Sequence, residues 1–145
     1  MTGEFETEML NHACRGDAAA VDFTKRALAY FHAADDLVDT EQEPEEKLKT
    51  LVRAQELYTH IFFVRNAHGL NAVLRTCESI YADSVAWEKS DDPDQRAWAD
   101  HARHCGFDLI LAVADICGGW EHRRAVSRDV RLYQLACAAQ EKQKG

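Results

Sequence analysis

The sequence predicts an all-α protein, an antiparallel bundle of about five to six helices that forms one domain over residues 1–145. Only two prolines and seven glycines occur in the 145 residues, and they fall where helices would begin or end. Valine, isoleucine and threonine never alternate with polar residues over the length of a strand. Because the joints are short, neighbouring helices are expected to run antiparallel.

Each predicted helix is bounded by residues that have a physical reason to begin or end it. Asp17 can cap a helix N-terminus with its carboxylate, and Asp92–Pro93 combines a cap with a proline suited to a first turn. The pair Gly118–Gly119 interrupts the last long helical pattern. Asn66–Gly69 is expected to be a turn, and Gln140–Gly145 to be disordered. The predicted helices cover Glu4–Ala13, Asp17–Asp39, Pro44–Arg65, Leu70–Lys89, Pro93–Cys117 and Trp120–Lys142.

The composition disfavours binding to nucleic acids and membranes and favours a cytoplasmic location. With 25 acidic and 17 basic residues, the chain has a net charge of −8. This charge disfavours binding to nucleic acid or to an anionic membrane, because both need a cationic surface. The longest apolar stretch, Leu109–Ala114, is too short to span a bilayer. The N-terminus lacks the apolar stretch of a signal peptide, and the cysteines are scattered, so reduced thiols and a cytoplasmic location are expected.

Three aspartates at the end of the second predicted helix are the most informative feature of the sequence. Asp35, Asp36 and Asp39 would repel one another unless water, a cationic side chain or a metal ion compensates their charge. On a helical wheel, Asp35 and Asp39 share a line at the rim of the apolar face, with His32 one turn before them and Asp36 nearer to solvent. Two carboxylates at this spacing can hold one divalent cation.

Two further helices carry polar rows that we expect to meet this cluster. Asp108 and Asp115 lie two turns apart in an otherwise apolar segment, where an unpaired buried carboxylate would be strongly unfavourable. A weaker row, with Asn71 and Asp83 among its members, follows one face of the fourth predicted helix. The hypothesis is that the three rows converge in the interior of the bundle around one or more metal ions.

The donor types favour a hard cation at such a site. Carboxylate and amide oxygens suit Mg²⁺ or Mn²⁺ better than zinc, and His101-x-x-His104-Cys105 lacks the second ligand pair that a structural zinc site needs. No catalytic residue is assigned. The predicted metal ligands are Asp35, Asp36, Asp39 and Asp108. The predicted substrate-binding residues are Asn71, Asp83, His32, Asp115 and Arg124.

Each of these features also has a structural explanation that the sequence leaves open. The aspartate cluster can be a solvated helix end, although the helix dipole opposes acidic residues there. Asp108 and Asp115 can form buried ion pairs with an arginine. The row on the fourth predicted helix can be a plain polar face. The arginines considered for the ion pairs are Arg103, Arg123 and Arg124.

The aspartate cluster resembles a motif of a known enzyme family. The string Phe31–Asp39, with the sequence FHAADDLVD, resembles the first aspartate-rich motif of trans-isoprenyl diphosphate synthases and related terpene cyclases. In that family the motif ends a bundle helix and holds Mg²⁺ against a substrate diphosphate. The resemblance implies that Asp35, Asp36 and Asp39 are metal ligands.

Most of the chain is similar to small all-helical proteins of bacteriophages and bacteria that have no established function. The shared features are the DDLVD string, an asparagine in a helix like Leu70–Leu74, an aromatic–aspartate pair like Phe107–Asp108, and a Gly-Gly break. A third similarity, to all-α nucleoside triphosphate pyrophosphohydrolases, rests on carboxylate pairs from two helices that hold Mg²⁺. The polar positions that the phage-like pattern marks are Asp35, Asp36, Asp39, Asn71 and Asp108.

These features favour a Mg²⁺- or Mn²⁺-dependent protein that binds or processes a phosphorylated small molecule, either a diphosphate or a nucleotide. If the protein is an enzyme, we expect a diphosphate-ester lyase or transferase, or a pyrophosphohydrolase, in which the metal polarises the bond to the leaving group. The alternative is a non-catalytic phage or bacterial accessory protein whose acidic residues form ion pairs. We also expect a homodimer, with neither a nucleic acid nor a membrane as partner.

Overall fold

The chain folds as a bundle of α-helices. The structure, a computed structural model, describes residues 2–144. Within those residues it has seven helical elements and no strand, so the all-α prediction is confirmed. Also within this part of the chain, no helix combines the length and the apolar character needed to cross a lipid bilayer. The elements are α1 (Thr2–Ala13), α2 (Ala18–Asp39), α3 (Pro44–Thr59), α4 (Ile61–Arg65), α5 (Ala67–Glu88), α6 (Pro93–Ala102) and α7 (Gly106–Lys144).

Local backbone and side-chain signals set the boundary between α1 and α2 as predicted. Arg15 and Gly16 have positive φ angles of 52° and 75°, which is the left-handed conformation that often ends a helix. Asp17 Oδ1 then accepts hydrogen bonds from the backbone N–H groups of Ala19 and Ala20, at 3.0 and 3.2 Å. Two of the unpaired donors at the start of α2 are therefore satisfied by the cap.

The predicted helix Pro44–Arg65 is broken near its end. It stops at Thr59 because His60 adopts an extended backbone, and the His60 Nδ1 accepts a hydrogen bond of 3.1 Å from the N–H of Phe62 at the start of α4. The other ring nitrogen lies 2.8 Å from Oδ2 of Asp22 on α2. The break is thus fixed by a contact with another helix.

The predicted helix Pro93–Cys117 is also interrupted, because α6 ends at Ala102 and α7 begins at Gly106. At this point α7 approaches α2 closely. A Cβ atom on Gly106 would lie 3.3 Å from side-chain carbons of Leu28 and Phe31, which is tighter than ordinary packing. A side chain at this position would therefore require Leu28 or Phe31 to shift by a few tenths of an ångström.

Two segments that were expected to be irregular are helical instead. Most of the predicted turn Asn66–Gly69 belongs to α5, and Asn66 alone separates α4 from α5, with its side-chain amide donating to the carbonyl of Phe62 at 3.0 Å. The expected disorder from Gln140 onward is wrong as well, because α7 continues to Lys144. Gly145 lies outside the described residues.

The long element α7 is a hairpin of two antiparallel arms. Gly119 has φ 85° and ψ −177°, which interrupts the helical backbone between a first arm, residues 106–118, and a second arm, residues 120–144. The arms lie side by side, because Nη2 of Arg131 in the second arm is 3.3 Å from Oδ1 of Asp108 in the first. The predicted break at the glycine pair is therefore confirmed.

Two buried clusters lie on either side of the first arm of α7. The first surrounds Phe23 and joins α2, α4, α5 and the first arm, and the second joins α1 to both arms. Phe23, Leu109 and Val126 have no exposed surface. Because burial of each such side chain contributes about 1.5–3 kcal/mol, these clusters fix how α2, α5 and the two arms are arranged around the cleft described next.

Candidate functional site

A cleft of about 790 Å³ lies between α2, α5 and the second arm of α7. Its volume is in the range of small-molecule sites. Six carboxylates line it against two permanent cations, so its potential is negative and favours a positively charged ligand or a ligand that arrives with a cation. We call it the acidic cleft. Its charged and histidine lining residues are Glu6, Asp35, Asp39, Glu78, Glu88, Glu141, Lys25, Arg103, His32 and His104.

Tyrosine hydroxyls hold three of these carboxylates in place. The hydroxyl of Tyr81 on α5 donates a hydrogen bond of 2.6 Å to Oδ1 of Asp35 on α2. Burial, and then the hydrogen bond to Asp35, raise the pKa of Tyr81 well above its usual range, so the hydroxyl remains a donor at neutral pH. The other two pairs are Tyr133 with Glu6 at 2.9 Å and Tyr30 with Glu78 at 3.4 Å.

Asp35 and Asp39 form an acidic pair on the wall of the acidic cleft, where Asp35 is half-buried and Asp39 is exposed. Partial loss of solvent raises the pKa of Asp39, and so do the charge of Asp35, a hydrogen bond between the two carboxyl groups and the charge of Glu88. Arg103 acts in the opposite direction. Within the described residues, neither aspartate forms an ion pair. A cation bound between the two carboxylates would relieve their repulsion.

The structure does not bring the three predicted polar rows together, and Asp108 is the clearest departure. Its side chain is 63 % exposed and pairs with Arg131, because the hairpin of α7 sets these two residues opposite each other. It therefore neither reaches the interior nor forms the buried ion pair considered with Arg103, Arg123 or Arg124. Asp115, two turns further along, is exposed as well.

Helix α5 presents to the cleft a different face from the predicted one. Asn71 and Asp83 are exposed and do not line the acidic cleft. The wall is formed instead by Tyr81, Ser84 and Glu88, together with Glu78. Ser84 follows Tyr81 by three residues and Glu88 follows Ser84 by four, so these three side chains share one face of the helix. This spacing is visible in the sequence and could have predicted the wall.

The remaining candidates separate into one that lines the cleft and two that do not. His32 lies on the cleft wall one turn before Asp35. Arg124 packs over the ring of Trp120, with 4.8 Å between its guanidinium carbon and the ring centroid. Asp36 is exposed and is not a lining residue. Of the predicted site, the acidic cleft therefore unites His32, Asp35 and Asp39.

A second polar group at the cleft was not identified from the sequence. Arg103 Nη2 lies 3.4 Å from Oε2 of Glu141 in the second arm of α7 and 3.3 Å from Oδ1 of Asp100. His104 Nε2 lies 3.8 Å from the same Glu141 oxygen, and it is buried without a hydrogen-bond partner. These residues meet because α7 folds back on itself, which no spacing in the sequence reveals.

The acidic pair offers at most two of the ligands that a metal ion would need. Among residues 2–144, no group of three or more His, Cys, Asp or Glu side chains is arranged to hold a metal ion. Mg²⁺ commonly uses only one or two protein carboxylates and completes its octahedron with waters and substrate phosphates. Asp35 and Asp39 fit this mode, and their role as metal ligands stays a prediction.

Comparisons with protein-family models, with curated proteins and with solved structures found no match for this chain. The resemblances to diphosphate synthases and to small phage proteins therefore stay predictions. A function for the protein has to be argued from the acidic cleft and from the surface of the bundle.

Proposed function

We propose that the protein binds a phosphorylated small molecule in the acidic cleft, with Mg²⁺ or Mn²⁺ held between the phosphate and the carboxylates of Asp35 and Asp39. The observation that carries this proposal is the acidic pair itself. Its two carboxylates lie one helical turn apart on the cleft wall, and the pKa of Asp39 is raised by partial desolvation and by Asp35. A divalent cation is the ligand that turns this repulsion into attraction.

The charge of the cleft explains why the phosphate would need the metal. Six carboxylates against two cations repel a free phosphate, whereas a divalent metal ion on Asp35 and Asp39 would neutralise their two charges and offer the phosphate oxygens a ligand position. Arg103 lies close enough to lower the pKa of Asp39. Its guanidinium can donate to phosphate oxygens beside the metal.

The reaction class that fits this arrangement is metal-assisted cleavage or transfer of a diphosphate ester. A bound metal would neutralise the phosphate oxygens and polarise the bond to the leaving group. In the acidic cleft, the protonated tyrosines hold three of the carboxylates in position, and His32 on the α2 wall is a side chain that could move a proton. The proposal itself concerns binding and assigns no catalytic residue.

A second candidate is a non-catalytic interaction protein, and a separate surface favours it. Helix α3 exposes a stripe of large apolar side chains, with Leu48, Leu51 and Val52 exposed by 63, 60 and 50 %. Ile61 and Val64 on the adjoining α4 are also more than half exposed. Exposed apolar patches of this kind mark protein–protein contacts. In this case the cleft carboxylates are structural and do not bind metal.

Thermal unfolding separates the two candidates. The midpoint is measured in EDTA, Mg²⁺ and Mn²⁺, each with and without inorganic pyrophosphate, and with NaCl of equal ionic strength as the control for screening. A ligand at 100 times its dissociation constant stabilises the folded state by about 2.7 kcal/mol, which is roughly 5–10 °C for a domain of this size. We expect such a rise with metal and pyrophosphate together.

Matched variants decide where the ligand binds. Asp35→Asn should abolish the metal-dependent rise, whereas Asp36→Asn, the same change at the exposed neighbouring position, should keep it. A midpoint that does not respond to metal or pyrophosphate in the wild-type protein rejects the proposal and favours the interaction protein. A rise that survives in Asp35→Asn rejects the assigned site.

A further inference from the structure

Four of the five cysteines lie in neighbouring pairs, although the sequence scatters them. Cys77 in the middle of α5 contacts Cys105, the residue before α7, across 28 positions of the chain. Both residues are buried. The second pair is Cys14 with Cys117, each of which shifts the pKa of the other's thiol. Pairs of thiols in contact are a chemical feature that neither proposed function uses.

The contact between Cys77 and Cys105 is reciprocal. The Cys77 Sγ lies 3.5 Å from the carbonyl oxygen of Cys105, and the Cys105 Sγ lies 3.3 Å from the carbonyl oxygen of Cys77. Each sulfur therefore reaches across to the backbone of the other residue. Each thiol also shifts the pKa of the other, so the two side chains are close neighbours in the fold.

The two thiols are chemically unequal. A hydrogen bond from Cys77 lowers the pKa of Cys105, and the same interaction, followed by burial, raises the pKa of Cys77. Cys105 therefore ionises first, and the thiolate is the nucleophilic form of cysteine. A nucleophilic thiolate beside a second thiol is the arrangement in which oxidation ends in a disulfide.

A small oxidant can reach Cys105 from two sides and Cys77 from one. Cys105 lines the acidic cleft, and both cysteines line a second groove of about 290 Å³ between α5 and the first arm of α7. Most of the other groove residues are apolar. Such a groove admits a small uncharged oxidant more readily than a charged one.

We propose that Cys77 and Cys105 form an oxidisable dithiol site that a hydroperoxide converts into a disulfide. The Cys105 thiolate attacks one oxygen of hydrogen peroxide, the O–O bond breaks, and Cys105 becomes a sulfenic acid. The hydroxide that leaves takes up the proton that Cys105 released on ionising, which gives the first water. The Cys77 sulfur then attacks the Cys105 sulfur, and the leaving hydroxide takes the Cys77 proton to form the second water. The two thiols lose two electrons, which reduce the peroxide.

The disulfide would join α5 to the segment before α7 that helps to form the acidic cleft. Arg103, His104, Gly106 and Phe107 flank Cys105 and line the cleft. Oxidation would therefore fix one cleft wall covalently to its neighbour. The inference does not depend on what the cleft binds.

The second cysteine pair provides an internal control. Burial raises the pKa of Cys14 to about 12, and burial also raises the pKa of Cys117. Neither thiol of this pair is activated, so it should react more slowly than Cys77 and Cys105. Cys137, whose pKa burial raises as well, serves as the unpaired control.

The test begins with the reduced, metal-free wild-type protein and one equivalent of hydrogen peroxide. Remaining thiols are blocked with N-ethylmaleimide, and digestion with trypsin plus a protease that cleaves before aspartate separates Cys105 from Cys117. We expect the peptides of residues 76–82 and 104–107 to be joined by a disulfide. The five free thiols should fall to three and be restored by dithiothreitol.

Other products would overturn the inference. Alkylated Cys77 and Cys105, a first disulfide between Cys14 and Cys117, or thiol loss spread evenly over the five cysteines would each do so. In Cys77→Ser, dimedone should trap a sulfenic acid at Cys105, and no disulfide should form there. Cys117→Ser, the matched control, should still form the Cys77–Cys105 bond. If the Cys77→Ser variant does not fold, the wild-type product alone decides.

Discussion

Replacing Gly119 with alanine tests the turn that gives the acidic cleft its third wall. Gly119 has φ 85° and ψ −177°, a region of backbone conformation that is essentially restricted to glycine. A Cβ atom added there meets no atom within 4 Å. The expected penalty therefore comes from the backbone conformation itself, with no contribution from a clash with neighbouring side chains.

The size of the effect follows from this conformation. A residue with a side chain in such a region is destabilised by about 1–3 kcal/mol, which should lower the unfolding midpoint by roughly 2–12 °C for a domain of this size. Gly69 is the matched control, since it is exposed, lies within α5, and leaves open space for an added Cβ. Gly69→Ala should raise stability by about 1 kcal/mol, because alanine is the better helix former.

Urea unfolding followed by circular dichroism measures both variants against the wild type. The reasoning predicts changes of opposite sign for the same chemical substitution. If Gly119→Ala is as stable as the wild type, or more stable, the hairpin turn does not require a glycine.

Two further substitutions test the walls of the acidic cleft. Tyr81→Phe removes the hydrogen bond to Asp35 and should lower the free energy of unfolding by about 1–2 kcal/mol. Urea unfolding measures this change against the control Tyr58→Phe. Equal effects of the two substitutions would contradict the hydrogen bond to Asp35. The pKa of Asp39 is raised in the folded protein, so the protonated carboxyl favours the folded state. This contribution to the free energy of unfolding is complete below the unfolded pKa of about 3.9. It is lost as pH rises through the pKa of the folded protein. Metal-free Asp39→Asn should therefore gain stability relative to the wild type between about pH 4 and pH 7, and a gain that is constant with pH, or one equal to that of Asp36→Asn, would refute this.

Much of the fold could be predicted because its boundaries are set by local signals. The carboxylate of Asp17 caps α2 through contacts within its own segment, and the glycine pair at Gly119 weakens a helix that would continue through it. The break at His60 could not be predicted in this way, since it depends on a ring that also contacts Asp22 across the bundle. A histidine within a helical pattern carries no signal of that contact.

The candidate site could be predicted only where it belongs to one helix. Asp35 and Asp39 share a wall because their spacing alone puts them on one face of α2. The partner wall depends on how α5 is rotated about its own axis, which packing of Leu70, Leu74 and Cys77 decides. That rotation replaces the expected row through Asp83 by the face that carries Tyr81.

The carboxylates of the acidic cleft differ in whether a hydrogen-bond donor or a cationic side chain offsets their charge, and this difference determines where a cation should bind most strongly. Glu6, Asp35 and Glu78 accept hydrogen bonds from tyrosines, and Glu141 pairs with Arg103. Within the described residues, Asp39 and Glu88 have no such donor, and the charge of Glu88 adds to the raised pKa of Asp39. A cation therefore gains most at the Asp39 end, where it replaces repulsion that the folded chain otherwise bears. A site of this kind weakens the empty protein and is stabilised by its ligand, which is the trade-off between stability and function expected at binding sites.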